Sequence, residues 1–131
     1  MSAPTKMLTE ALQAPDVVAR QIMRNASASE ALGAKLRAID PTFIVTCARG
    51  SSDAACTYGK YLIETRLGVP VASMAPSVSS IYRARLKLRG AAFIAVSQSG
   101  KSPDLLAATE MAKTQGALVI ALVNDEAAPL A

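Results

Sequence analysis

Three stretches of this chain are apolar almost without interruption, and the segments between them carry apolar residues at helical spacing. Residues 42–47 (TFIVTC), 91–96 (AAFIAV) and 117–123 (ALVIALV) have the continuous apolar character of parallel strands covered on both faces. A shorter stretch, 69–73 (VPVAS), adds a fourth strand, with Pro70 suited to a strand start. Residues 52–67 place Ala55, Tyr58, Gly59, Leu62 and Ile63 along one side of a helix that stops at Gly68. A second helix begins at Ser102-Pro103-Asp104, with serine as N-cap, proline at the first helical position and aspartate in the first turn. It carries Leu105, Ala108, Thr109 and Ala112 on one face and ends before Gly116.

This alternation of strand and helix predicts an α/β fold, a flavodoxin-like doubly wound parallel sheet with helices on both faces. The first forty residues differ. They predict an N-terminal helical arm over 1–40, one or two helices around Pro15, packing through Leu8, Leu12, Val17, Val18, Ile22 and Leu32. Residues 41–131 then form the α/β domain. Beyond Val123 the chain enters what reads as the first turn of another helix and stops, so the sheet is expected to be truncated after its fourth strand, with 117–123 at or near an exposed edge prone to association.

Composition narrows the chemistry. With 51% hydrophobic and 18% charged residues over 131 positions, the chain can bury a core and is not of the disordered class. It has neither an apolar segment of membrane-spanning length nor a signal-peptide core at its start, so no membrane association and a cytoplasmic location are expected. There is no histidine, and Cys47 and Cys56 match no zinc or redox spacing, so neither metal nor cofactor is expected. A net charge of +4 is too small to indicate nucleic acid. The densest basic run, 82–89 (YRARLKLR), alternates its charges and suits a solvated surface.

Two hydroxyl-rich turns carry the candidate chemistry. Arg49-Gly50-Ser51-Ser52 follows the first strand, and Ser97-Gln98-Ser99-Gly100-Lys101-Ser102 follows the third. Gly100-Lys101-Ser102 resembles the end of a nucleotide-binding P-loop, but that motif needs a glycine where Ala95 stands. Neither the dinucleotide glycine pattern nor a nucleophile elbow is present. In the strand order 2-1-3-4-5, strands one and three are neighbours whose helices lie on opposite faces, so the two turns flank one crevice at the topological switch point. Helix N-termini there favour an anion, and serine hydroxyls with the Gln98 amide add donors. A single phosphomonoester fits. The alternative is purely structural, with Ser102 and Ser52 as helix caps, Gly100 as a turn residue and Lys101 merely solvated. Ser97, Gln98 and Ser99 resist it, because three polar residues abruptly end an apolar strand while a cap needs only one.

These residues resemble the SIS (sugar isomerase) domain family. Its SQSGx(T/S) signature stands here as Ser97 to Ser102, and its glycine-hydroxyl turn as Gly50-Ser51-Ser52. GKYLIE (59–64), ALVND (121–125) and MLTEALQAPDVVARQ (7–21) extend the likeness to the isomerase half of glucosamine-6-phosphate synthase, also called glutamine-fructose-6-phosphate aminotransferase. RGSSD (49–53), APSVSSIY (75–82) and SQSGKSPD (97–104) look most like the two-SIS enzymes that deaminate glucosamine 6-phosphate. The resemblance implies that Ser52, Ser97, Gln98, Ser99 and Ser102 hold a hexose or hexosamine 6-phosphate, with Arg49, Gly50, Ser51, Gly100 and Lys101 as neighbours. It implies a homodimer, and a domain of an aminosugar-phosphate deaminase or isomerase that is inactive alone, because the base looks to come from a second SIS domain and a C-terminal tail. Glu64 lies about three turns into its helix, too far from the crevice to serve, so no catalytic residue is assigned. The alternative is a sugar-phosphate-sensing SIS module of a regulatory protein, which would require a DNA-binding helix-turn-helix that residues 5–40 do not offer.

Overall fold

A computed structural model describes residues 5–131 of the chain. Two compact units divide it, Met1–Ala38 and Ile39–Ala131.

Among the described residues the first unit is one continuous helix, α1 (Lys6–Ile39), the single-helix form of the one or two helices expected around Pro15. The Thr5 side-chain oxygen accepts the Leu8 N–H at 3.3 Å and starts it. Pro15 lies inside and removes one helical hydrogen bond. The expected packing positions are not covered within this unit: Leu8, Leu12, Val17, Val18 and Ile22 are exposed, and Leu32 is half-buried. Leu8, Leu12, Val18 and Ile22 nevertheless share one helical face with Ala11 and Ala19, opposite Gln13, Val17 and Arg24.

The second unit is a four-stranded, all-parallel sheet of β1 (Ile44–Ala48), β2 (Val71–Ser73), β3 (Ala92–Ser97) and β4 (Leu118–Val123). The spatial order is β2-β1-β3-β4, the first four strands of the expected order. The first strand begins two residues later than expected, because Phe43 offers its carbonyl to the Ala92 N–H from just outside the ladder. Between the strands run α2 (Ser51–Leu67), the single turn α3 (Ser77–Ser80) and α4 (Pro103–Thr114). From β1 the chain crosses to β2 on one side and from β3 to β4 on the other. Right-handed crossovers therefore place α2 and α4 on opposite faces of the sheet.

One face of the sheet presents Val45, Cys47, Phe93 and Ala95 to Leu105, Ala108 and Ala112 of α4. The two small α4 residues let the helix approach closely, and Phe93 and Ala95 are fully enclosed. The burying side of α2 differs from the expected one. Cys56 is buried with Ser52, Gly59 and Ile63 partly covered, while Ala55, Tyr58 and Leu62 face out. Periodicity located the helix, but Tyr58, Tyr61, Leu62 and Leu67 make its outer face nearly as apolar as the inner one.

After β4 the expected helical turn does not form. Asp125 instead organises consecutive turns, its side chain accepting the Ala127 N–H at 2.9 Å and its carbonyl the Ala128 N–H at 3.1 Å. Ala128 and Leu130 are buried by this path.

Candidate functional site

Parallel pairing aligns Ala48 with Val96, so β1 and β3 end side by side and release their turns at one edge of the sheet. Gly50 leaves β1 with φ 57° and ψ −134°, a conformation that an L side chain rarely adopts, and is the N-cap of α2 without any side-chain capping bond. Ser51 and Ser52 thus lie within the first turn of α2. The structural alternative in which Ser52 caps this helix is removed.

The second turn is built by its own serines. The Ser97 side-chain oxygen accepts the Gly100 N–H at 2.9 Å, and Ser97 is buried. Ser99 Oγ faces the Lys101 N–H at 3.4 Å, at the long end of the range. Gly100 takes φ 62°, and a Cβ there would stand 2.6 Å from the Ala128 Cβ. The Gly100 carbonyl also accepts the Leu130 N–H at 3.1 Å, so the 125–131 segment braces this turn from behind. Gln98, Ser99 and Lys101 are exposed and Ser102 is half-buried.

Ser102 occupies the N-cap of α4 as expected, with Pro103 following, but its side chain makes no capping hydrogen bond. Asp104 does that work. Its Oδ1 accepts the Leu105 N–H at 2.9 Å, and its Oδ2 accepts from Arg49 Nη1 at 3.0 Å. One carboxylate therefore caps α4 and ties it to the turn after β1, across 55 positions of sequence. The sequence signals only its first-turn placement; the pairing with Arg49 depends on strand order.

The formal charges at this edge cancel, Arg49 and Lys101 against Asp53 and Asp104. The cysteines beneath register the carboxylates. Burial pushes the Cys47 thiol up to about 12, with Cys56, Asp104 and Asp53 adding to the effect. Cys56 is raised by burial and by Asp53, while a hydrogen bond from the Thr46 side chain opposes the shift. Neither thiol is a nucleophile at neutral pH. Glu64 is committed elsewhere, its Oε1 accepting the Val71 N–H at 3.0 Å where β2 begins.

The structure thus brings Arg49, Gly50, Ser51 and Ser52 beside Ser97 through Ser102, with backbone N–H groups of two helix starts pointing to the same edge. Two open depressions of about 450 and 390 Å³ lie elsewhere, between the basic run and the C-terminal end of α4, and include no residue of either turn. Among the described residues no cluster of acidic, histidine or cysteine side chains is fit for a metal ion, and no helix is long and apolar enough to cross a membrane.

Comparison with known proteins agrees with this geometry. The family model described as SIS domain matches residues 39–131. A curated relative, the isomerizing glutamine–fructose-6-phosphate aminotransferase of Symbiobacterium thermophilum, is 40% identical over 93 residues, 70% of this chain and 14% of the relative. A crystal structure from Silicibacter pomeroyi DSS-3, of a protein provisionally assigned as a phosphosugar isomerase, superposes with TM-score 0.93 at 50% identity, over 97% of this chain and 39% of that one. The C-terminal domain of glucosamine-fructose-6-phosphate aminotransferase from Francisella tularensis gives TM-score 0.80 at 25% identity, over 98% of this chain and 37% of that one. The chain therefore spans about a seventh of that curated relative's length.

Proposed function

The chain belongs to the SIS domain family, and on that premise we propose that its two turns bind the phosphate of a hexose or hexosamine 6-phosphate. In this proposal it is one domain of a cytoplasmic aminosugar-phosphate isomerase, deaminase or aminotransferase. The observation that carries it is the placement of Ser51-Ser52 and Ser97 to Ser102 at the adjoining ends of β1 and β3, with the Ser102 hydroxyl released from capping by Asp104.

Each residue has a role in that scheme. Ser99, Ser102 and the Gln98 amide donate to phosphate oxygens, as do backbone N–H groups at the start of α2. Ser97 shapes the loop through Gly100 and keeps its own O–H to donate. Gly50 and Gly100 supply the backbone conformations that open the two turns. Lys101 adds a long-range positive charge. A phosphate held here is remote from C1 and C2 of a hexose, where this chemistry moves a proton, so its binding energy serves to position those carbons. The base is assigned to another part of the full enzyme, since Glu64 is spent on Val71.

Calorimetric titration with glucosamine 6-phosphate and fructose 6-phosphate tests the proposal. Binding competed by inorganic phosphate is expected, weakened at least about tenfold by the double change Ser99→Ala with Ser102→Ala, since each removes a charge-assisted hydrogen bond. Absence of binding to both sugars, or an affinity unmoved by the double change, refutes it.

A further inference from the structure

We propose that Arg49 is a positioning residue that serves the sugar phosphate by cancelling the Asp104 carboxylate, and not by gripping the phosphate itself. This rests on the sugar-phosphate assignment above and concerns how the same site tolerates a dianion.

Both Asp104 oxygens are engaged, Oδ1 with the Leu105 N–H and Oδ2 with Arg49, and the side chain is only 24% exposed. Asp104 therefore holds a fixed negative charge in the first turn of α4, the end of the helix that would otherwise attract an anion. A phosphate placed against the Ser97 to Ser102 turn meets that charge at short range. Arg49 is the group that offsets it. With Arg49 present, the four charged side chains of this edge sum to zero; without it, Asp53 and Asp104 outweigh Lys101. Arg49 reaches Asp104 through Nη1 alone and keeps further N–H donors, so the lysine and double variants separate charge cancellation from a direct grip. The pair also spans the switch point, joining the turn after β1 to the helix after β3.

Fructose 6-phosphate affinity in the full chain is the readout, for the wild type, Arg49→Ala, Asp104→Asn, the double variant and Arg49→Lys. Asparagine keeps an oxygen for the Leu105 N–H, so the cap survives while the charge is removed. Arg49→Ala is expected to weaken binding about three- to tenfold at low salt, the size of one uncompensated charge at this range, and less in high salt. Adding Asp104→Asn is expected to restore affinity to within about twofold of wild type, and Arg49→Lys to retain most of it, because a point charge suffices to cancel a carboxylate. A double variant as weak as Arg49→Ala, or a lysine variant equally weak, overturns the proposal and makes Arg49 a direct ligand. If the wild type binds neither fructose 6-phosphate nor inorganic phosphate, the sugar-phosphate assignment itself fails and this proposal with it.

Discussion

Gly100 stands where a side chain has nowhere to go: its φ is 62° and a Cβ would press on Ala128 at 2.6 Å. Gly50 has a positive φ with open space around it. Gly100→Ala should therefore cost more than Gly50→Ala, about 2–4 kcal/mol against about 1–2, since only the first adds a steric clash to backbone strain. Urea unfolding of the two variants measures the difference. The buried thiol makes a second prediction. Cys47 titrates near 12 in the folded chain against an ordinary 9.0. The folded state thus favours the protonated form, and the resulting stability is complete below pH 9 and is lost as pH rises towards 12. Stability should fall across that window by up to about 1.4 kcal/mol per pH unit from this thiol. Cys47→Ala should flatten the decline, and native alkylation at pH 8 should be far slower than in urea.

Among the elements, α4 and α2 are each held at one end by a carboxylate that sequence pattern alone does not single out. Asp104 caps α4, so Asp104→Ala should lower stability by about 1 kcal/mol, whereas Arg49→Ala should change it by less than about 0.5, because Arg49 is 64% exposed and such pairs contribute little. Glu64 anchors the C-terminal end of α2 to the first N–H of β2, which sits at the sheet edge. Glu64→Ala should cost about 1–2 kcal/mol and Glu64→Gln clearly less, since the amide oxygen can still accept from Val71. Thermal melts of the four variants distinguish these cases. For α4 the apolar spacing was legible, because Leu105, Ala108 and Ala112 are its inward residues and Glu110 and Lys113 its outward ones. For α2 it was not, because both faces carry apolar side chains and only contact with the sheet chooses between them.

The whole molecule presents more apolar surface than its core explains. β4 is an edge strand with Leu122 54% exposed, and Tyr58, Tyr61 and Leu67 of α2 are exposed as well. Association is expected through these faces, and the chain should scatter light as a species larger than a monomer. Leu122→Lys, a charge on the open edge, should shift that population towards monomer; a monodisperse monomer in the unsubstituted chain would refute the expectation.

Strand positions, their parallel order and the two hydroxyl-rich turns were all readable from the sequence, because buried parallel strands must be continuously apolar and their ends must break into polar residues. The serines of the candidate site were legible for the same reason. Which hydroxyl caps a helix was not, since that depends on which acceptor reaches the first N–H groups, and Asp104 reaches Leu105 where Ser102 does not. The Arg49–Asp104 pair and the bracing of Gly100 by Ala128 and Leu130 join positions far apart in the chain. Only the side-by-side ending of β1 and β3, and the return of the chain after β4, bring them within bonding distance.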